Sequence, residues 1–264
     1  GIWQVICSED HEMYYPDSGN EDCYAIEDQS YWFRHRNRVI LKIFSRIYRG
    51  KSIWEIGAGN GFVAKALNDI GYEVVAVEPG NTGAKYARTR GVEKSICGFF
   101  ESLQLPDRSV EAIGCFDVVE HLPNPGQLLT EFHRTLKPGG IVVVTVPAFA
   151  WLWSQMDDFA GHKQRYTIQE LHKSFAMYGF EVRAGSYFIV PLVLPLYFAR
   201  TRPYQKGVRM EERELISRGK QQITAKGASI SLRLLEIMLA AELPAIGNVF
   251  LPLGTSIIAA YERK

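Results

Sequence analysis

Between residues 51 and 148, segments with the apolar pattern of a strand alternate with segments that have the apolar pattern of a helix. Short runs such as SIWEIG and IVVVTVP have the length and the β-branched composition of strands, and amphipathic stretches such as PGQLLTEFHRTL lie between them. The unbroken run IVVVTVP is typical of a strand that is covered on both faces. Strands separated by helices predict parallel βαβ units, and therefore an α/β fold.

The same pattern predicts seven strands over the whole chain. They are SIWEIG, EVVAVE, KSICGFF, VEAIGCF, IVVVTVP, FEVRAGSYFIV and TSIIAAYERK. A capping box at Thr167 and Glu170 predicts the start of a further helix. This pattern predicts four segments along the chain. They are an irregular N-terminal arm with a helix that packs on the core (1–49), the core (50–190), a helical, partly apolar insertion (191–254) and the final strand of the core (255–264).

The amino-acid composition is that of an ordinary globular protein. The chain has 264 residues, 47% of them apolar and 22% charged, with a formal net charge of +1. This balance predicts a sizeable core and gives no indication of a nucleic-acid partner. No signal peptide is visible, and none of the four cysteines forms a CxxC pair, which favours a reducing cytoplasmic compartment. Cys7, His11 and Cys23 are one ligand short of a zinc site, so no metal site is predicted.

The most informative segment is EIGAGNG at residues 55–61, between a predicted strand and a predicted helix. Gly57 and Gly59 allow a tight turn and a close approach of the backbone to a ligand. Glu78 ends the next strand, where a carboxylate can accept hydrogen bonds from both hydroxyls of a ribose. Glu55 is placed either to orient this loop or to reach an ammonium group of the ligand.

The glycine loop and Glu78 suit NAD and S-adenosylmethionine alike. The glycine spacing is GxGxG, whereas the dinucleotide fingerprint is GxGxxG. S-adenosylmethionine has no pyrophosphate and carries an ammonium group that suits a nearby carboxylate. The residues therefore favour S-adenosylmethionine.

Five motifs in order resemble class I, Rossmann-like S-adenosylmethionine-dependent methyltransferases of the broad group with a VLEHL-type motif. They are EIGAGNG, VVAVEP, GFFESLQLPD, FDVVEHLPNP and LKPGG followed by VVVTVP. The resemblance implies a seven-stranded, mostly parallel sheet with the last strand antiparallel, helices on both faces and S-adenosylmethionine as cofactor. The residues implied to contact the cofactor lie in these motifs: Glu55, Gly57, Ala58, Gly59, Glu78, Pro79, Phe99, Phe100, Glu101, Phe116 and Asp117.

The chain departs from the family pattern at two places. Phe99 stands where members often have an Asp that receives the adenine amino group, so Glu101 or the backbone is expected to make that contact. Val110 and Glu111 replace the usual FD at the start of the fourth strand.

The residues that contact the methyl acceptor are predicted from the polar groups near the carboxyl ends of the strands. His121, beside Glu120, is a candidate general base, and the alternative is that both residues position the following loop. Two further groups either bind the acceptor or have only structural roles. The residues concerned are Trp32 and Arg36 in the first helix, and Asp158, His162, Arg165 and Tyr166 in the loop after strand five, where Asp157 belongs to the same polar group.

The apolar segments 187–199 and 243–258 are too short, or too often broken by proline and glycine, to span a membrane. They predict a helical cap on the core, or a peripheral membrane or dimer contact. The whole pattern predicts methyl transfer to oxygen of a small-molecule, saccharide-like or lipid-like acceptor. Two alternatives stay open: an NAD(P)-dependent oxidoreductase, and a non-catalytic regulatory protein that keeps the cofactor pocket.

Overall fold

One mixed sheet forms the centre of the computed structural model, which describes residues 2–4, 17–224 and 230–264. Its strands are β1 (Trp3–Gln4), β2 (Ser52–Ile56), β3 (Glu73–Glu78), β4 (Lys94–Cys97), β5 (Val110–Phe116), β6 (Leu136–Pro147), β7 (Phe180–Phe188) and β8 (Ser256–Arg263). Their spatial order is β1-β4-β3-β2-β5-β6-β8-β7. All neighbours are parallel except that β8 is antiparallel to both β6 and β7.

The seven predicted strands are all present, and the Rossmann-like fold with its antiparallel last strand is confirmed. The described residues add one short edge strand, β1, which pairs with β4. The third predicted strand is shorter than expected, because the chain leaves the sheet after Cys97 and turns at Glu101–Leu103.

Helices cover both faces of the sheet. Val143 of β6 packs in a core cluster with residues of the helices Tyr31–Ile47 and Phe62–Asp69. Its neighbours Val142 and Val144 pack in a second cluster with residues of the helices Gly126–Thr135 and Ile168–Met177. This alternation is the period of two that a strand imposes on its side chains. The helices are α1 (Asp17–Tyr24), α2 (Tyr31–Ile47), α3 (Phe62–Asp69), α4 (Asn81–Thr89), α5 (Gly126–Thr135), α6 (Gln155–Ala160), α7 (Ile168–Met177), α8 (Val193–Leu196), α9 (Arg202–Gln205), α10 (Glu212–Thr224) and α11 (Ile230–Glu242).

Two of these helices correct the sequence prediction. The segment 1–30 was expected to be irregular, yet α1 forms in it and stacks Tyr24 on Tyr86 of α4 with ring centroids 4.2 Å apart. The loop after β6 contains α6, which begins with a capping box formed by Ser154 and Asp157. The predicted capping box of Thr167 and Glu170 is present at the start of α7.

The insertion between β7 and β8 is helical, as expected, and a buried carboxylate attaches it to the core. Glu242, at the end of α11, accepts hydrogen bonds from the amides of Ile189 and Val190 at 2.6 and 2.9 Å. Its Oε1 also lies 2.8 Å from Nε2 of His35 in α2. Among the residues that the structure describes, no helix combines the length and the apolar character needed to cross a membrane.

Candidate active site

The glycine loop joins β2 to α3 at the carboxyl edge of the sheet. Gly57 has a φ of +70°, and a Cβ built there would lie 2.3 Å from Cγ2 of Val118, so both conformation and space require glycine. The amides of Gly57 and Ala58 donate to the carbonyl of Val77 at 2.9 and 3.1 Å. The loop therefore bends back against the end of β3 and leaves an open space above it.

Glu78 ends β3 and fixes this loop. Its Oε2 accepts a hydrogen bond from the amide of Gly59 at 2.8 Å, and its Oε1 accepts one from the amide of Gly80 at 2.8 Å. A carboxylate has about four acceptor positions, so Glu78 has the chemistry to accept from ribose hydroxyls as well as from backbone amides.

Glu55 lies beneath the loop and is only 2% exposed. Its Oε2 has no hydrogen-bond partner among the described residues. Burial raises the pKa of Glu55 to about 8, and nearby Arg36 opposes this rise. A buried carboxylate oxygen without a partner is costly, so the site is suited to a ligand that brings a donor, such as an ammonium group.

These groups line a cavity of about 360 Å³ at the carboxyl ends of β2, β3, β4 and β5. That volume is in the range of sites for small molecules and cofactors. All eleven residues predicted to contact the cofactor line this cavity: Glu55, Gly57, Ala58, Gly59, Glu78, Pro79, Phe99, Phe100, Glu101, Phe116 and Asp117. We call it the cofactor cavity.

One wall of the cofactor cavity comes from α1 and the turn after it, which sequence reasoning missed. Asn20 and Glu27 line the cavity, and the side-chain amide of Asn60 donates to the carbonyl of Asn20 at 2.8 Å. Glu27 forms an ion pair with Arg90 at 2.7 Å, although burial still raises the pKa of its carboxyl. The polar pattern of this arm resembles a loop, so no sequence signal identified it.

Asp117 and Arg36 form an ion pair at the border of the cofactor cavity. Nε of Arg36 lies 2.7 Å from Oδ2 of Asp117, and the hydroxyl of Thr145 donates to Oδ1 at 2.9 Å. Asp117 has a φ of +55°, an unusual value for a residue other than glycine. Both carboxylate oxygens are therefore held in one orientation directly after β5.

A second cavity of about 320 Å³ adjoins the first. We call it the outer cavity, and it shares Trp32, Asp117 and His162 with the cofactor cavity. Basic side chains of Arg165, Arg200 and Lys220 lie among its lining residues. Its apolar walls come from α2, α6 and the insertion: Tyr31, Trp32, Met156, Phe159, Leu192, Leu196 and Ile216.

Glu120 and His121 lie in the turn Val119–His121, each facing a different cavity. Glu120 lines the outer cavity, is fully buried, and has no hydrogen-bond partner for either carboxylate oxygen among the described residues. Burial, reinforced by the charge of Asp117, raises the pKa of Glu120 well above its usual value. His121 lines the cofactor cavity, and burial together with nearby His162 lowers the pKa of its imidazole to about 4.

Asp157 organises the loop after β6. It accepts from Nε of Arg165 at 2.7 Å and lies 2.9 Å from Nδ1 of His162. Burial alone would raise the pKa of Asp157, but His162 and Arg165 reverse this and lower it to about 2. The sequence analysis placed Asp157 in the same polar group as Asp158 but named only Asp158 among the acceptor-binding residues, although the Ser154 capping box could have identified Asp157.

The six residues predicted to bind the acceptor do not all line the two cavities. Trp32, Arg36 and His162 line the cofactor cavity, and Arg165 lines the outer cavity. Asp158 is exposed and accepts a hydrogen bond from Nε1 of Trp153 at 2.9 Å. Tyr166 is 3% exposed and packs in the core. Neither Asp158 nor Tyr166 is among the described residues that line the two cavities.

The comparison with known families agrees with this geometry. Residues 54–144 match the model of a methyltransferase domain family. The chain contains a class I, Rossmann-like S-adenosylmethionine-dependent methyltransferase domain. S-adenosylmethionine is the cofactor of this domain. The cofactor cavity contains the glycine bend, the carboxylate of Glu78 and the Oε2 atom of Glu55, which has no hydrogen-bond partner among the described residues.

Curated relatives of the methyltransferase domain carry similar descriptions. The chain is 30% identical over 133 residues to a probable S-adenosylmethionine-dependent methyltransferase of Mycolicibacterium smegmatis, covering 50% of this chain and 51% of that protein. It is 34% identical over 119 residues to an uncharacterized methyltransferase of Mycobacterium bovis, covering 43% of this chain and 44% of that protein. The chain thus matches about half the length of these relatives.

Solved structures share the fold at low sequence identity. A chain from the complex between the Haloferax volcanii Trm112 methyltransferase activator and the putative methyltransferase has a TM-score of 0.60 and 14% identity, covering 93% of this chain and 94% of that one. Haemonchus contortus phosphoethanolamine N-methyltransferase 2, solved with phosphomonomethylethanolamine and S-adenosylhomocysteine, has a TM-score of 0.58 and 19% identity. Here 95% of this chain and 58% of that chain are covered.

Both departures from the family pattern can now be located in the methyltransferase domain. Phe99 lines the cofactor cavity, whereas Phe100 is 2% exposed and packs edge-on against Phe132 at 5.6 Å, so its ring supports the wall from the core. Glu111 accepts from the hydroxyl of Tyr48 at 2.9 Å near the end of β5 opposite the cavity. The second departure therefore lies away from the cofactor cavity. Cys7 and His11, considered above as zinc ligands, lie outside the described residues.

Proposed function

We propose that this protein is a methyltransferase that transfers a methyl group from S-adenosylmethionine to an oxygen atom of a small-molecule acceptor, saccharide-like or lipid-like in character. The observation that carries the proposal is the junction of the two cavities. Asp117 and His162 line both of them, so a molecule in the outer cavity can reach one bound in the cofactor cavity. Methyl transfer needs that alignment and the exclusion of water.

The roles of the cofactor-side residues follow from their contacts. When bound, S-adenosylmethionine supplies an electrophilic methyl group on a sulfonium sulfur. Glu78 would accept from the ribose hydroxyls, and the unpaired Oε2 of Glu55 would accept from the ammonium group. Phe99, Glu101 and Pro79 line the part of the cavity assigned to the adenine.

The acceptor-side residues are Glu120 and His121. A hydroxyl acceptor must lose its proton as it is methylated, and a neutral imidazole is able to accept it. His121 is held neutral at physiological pH because burial lowers the pKa of its imidazole to about 4. Trp32 and Arg165 would contact the acceptor in the outer cavity.

The acceptor class is argued from the outer cavity and the insertion. The walls of the outer cavity are largely apolar, and three basic side chains lie among them, which suits an amphiphilic molecule. Leu194, Phe198 and Phe250 are more than half exposed on the insertion. Such apolar groups support a peripheral membrane or dimer contact through 187–199 and 243–258. The reduced thiol of Cys115 supports a cytoplasmic location.

Calorimetry with S-adenosylmethionine, S-adenosylhomocysteine and NADH tests the cofactor. We expect both adenosyl compounds to bind and NADH not to bind, and the reverse result would restore the oxidoreductase alternative. Incubation with S-[methyl-³H]adenosylmethionine and a small-molecule extract then tests the activity. Labelled products with the wild type and none with Glu78→Ala support it. Cofactor binding without any labelled product would favour the non-catalytic regulatory alternative.

A further inference from the structure

Glu120, His121 and His162 form a compact group of metal-ligand types at the junction of the two cavities. One ligand atom from each of the three lies within 4.8 Å of the others. The two imidazole rings meet edge to face, with centroids 4.9 Å apart. Glu120 and His121 are adjacent in sequence, whereas His162 comes from the loop after α6, so the cluster exists only in the folded chain.

The carboxylate of Glu120 provides an independent indication of a ligand. The residue is 0% exposed, and neither carboxylate oxygen has a hydrogen-bond partner among the described residues. Buried carboxylates are normally hydrogen-bonded, ion-paired or bound to a metal. The carboxylate of Asp117 cannot compensate for this, because a carboxylate only accepts hydrogen bonds and its oxygens are already engaged by Arg36 and Thr145.

Each of the two histidines has a partner that orients its ring. Nδ1 of His162 lies 2.9 Å from Oδ1 of Asp157, which leaves Nε2 as the nitrogen available to the cluster. Asp157 is itself fixed by Nε of Arg165 at 2.7 Å and by the amide of Ser154 at 2.8 Å. His121 interacts with the backbone of Gly161. Metal-binding histidines characteristically have a carboxylate or carbonyl partner on the other ring nitrogen.

We propose that Glu120, His121 and His162 bind one divalent transition-metal ion, which holds the acceptor oxygen at the junction of the two cavities. The inference rests on the proposed methyl transfer and specifies how the acceptor side of that site works. It also replaces the sequence-based expectation that the protein has no metal site.

The ligand types indicate the class of ion. Two imidazoles and one carboxylate suit zinc, manganese, iron(II) or cobalt better than calcium or magnesium, which prefer oxygen ligands. Three protein ligands leave at least one coordination position open, as in catalytic rather than structural zinc sites. The open position would face the space that Asp117 and His162 border from both cavities.

Methyl transfer to a metal-bound hydroxyl does not require a side chain as general base. A hydroxyl bound to the ion has a lowered pKa and releases its proton to water. The resulting oxygen forms a bond to the methyl carbon while the carbon–sulfur bond breaks and its electron pair stays on sulfur. The products are a methyl ether, S-adenosylhomocysteine and one proton. His121 then acts as a ligand and not as the proton acceptor.

Metal titration of the full, untagged chain tests the proposal. After dialysis against a chelator, the protein is titrated with Zn²⁺ or Co²⁺ and examined by calorimetry, elemental analysis and the visible absorption of Co²⁺. We expect one equivalent of metal per chain. Glu120→Gln and His162→Ala should each weaken binding at least tenfold, and His133→Gln, which changes a histidine outside the cluster, should not.

Asp157→Asn provides a second, milder variant in case the ligand variants fold poorly. Loss of an orienting partner typically weakens metal binding 10–100-fold, so an intermediate affinity is expected. Absence of stoichiometric metal, or binding that Glu120→Gln and His162→Ala leave unchanged, would overturn the proposal.

The failure of this inference can be separated from failure of the proposed function. S-adenosylmethionine binding is measured on the same chelator-treated protein by calorimetry. Cofactor binding and methyl transfer that continue without metal would overturn the metal site and leave the methyltransferase intact. Metal binding at the cluster without S-adenosylmethionine binding would support the site and contradict the proposed function.

Discussion

The cofactor cavity and the outer cavity adjoin, but the chain builds them in different ways. The cofactor cavity is formed mainly by residues that directly follow β2, β3, β4 and β5, within a stretch of about sixty residues. The outer cavity combines α2, α6, the start of β8 and the insertion, with residues from Cys23 to Ser256.

The difference has a physical basis. Backbone conformation and short hydrogen bonds shape the first cavity, as in the bend at Gly57 and the two amides that donate to Glu78. Packing between distant segments shapes the second, and it depends on the attachment of the insertion through Glu242. Changes in the first cavity should therefore affect cofactor binding, and changes at the insertion should affect stability.

The largest expected effect is that of Glu242→Ala. It leaves His35 and the amides of Ile189 and Val190 buried without their acceptor, so the free energy of unfolding should fall by about 3–5 kcal/mol. Denaturant unfolding measures this loss. The folded variant should still bind S-adenosylmethionine with little change, because none of these four residues lines the cofactor cavity.

Glu236→Ala is the matched control for that variant. Glu236 lies on the same helix but forms an exposed ion pair with Arg34, which should contribute at most about 1 kcal/mol. Equal losses of stability in the two variants would contradict the proposed attachment of the insertion.

Glu78→Ala should have the next largest effect. Losing hydrogen bonds to a charged group costs about 2–3 kcal/mol, which corresponds to roughly 30–150-fold weaker binding of S-adenosylmethionine. Calorimetry measures it. Glu73→Ala, at the other end of β3 where Glu73 pairs with Lys94 on the surface, should bind normally. Unchanged affinity in Glu78→Ala would refute the ribose assignment.

Glu55 should make cofactor binding depend on pH. Burial raises the pKa of Glu55 to about 8, so the free protein is mostly protonated there below that pH. The ammonium group favours the ionised form, and affinity should therefore weaken as the pH falls from 8 to 6, by up to about tenfold per unit. Glu55→Gln should remove this dependence. A wild-type affinity that is flat over this range would contradict the ammonium assignment.

Asp158→Asn should have the smallest effect. Its side chain is exposed, and its carboxylate accepts from Trp153. The free energy of unfolding should change by less than about 0.5 kcal/mol, and cofactor affinity should stay the same. Denaturant unfolding and calorimetry measure these. A large loss of methyl transfer would instead return Asp158 to the acceptor site, as the sequence predicted.

Sequence patterns predicted many of the residues that line the cofactor cavity and fewer of those that line the outer cavity. The glycine spacing and Glu78 were recognisable because each lies next to a strand whose pattern is clear. Glu27 and Asn20 were not, because α1 has a polar sequence and forms against the folded glycine loop and α4. Asp158 was named as an acceptor-binding residue and Asp157 was not, because sequence alone did not show which of two adjacent carboxylates is buried.

The sequence by itself determined the order of the seven main strands, the bend at Gly57 and the positions of Glu55 and Glu78 beside it. Each of these depends on local periodicity or on conformations that only certain residues adopt. Only the tertiary structure decided that Glu120, His121 and His162 meet, and that the insertion closes the outer cavity. Those contacts join segments far apart in the chain, and their distances follow from packing rather than from spacing in the sequence.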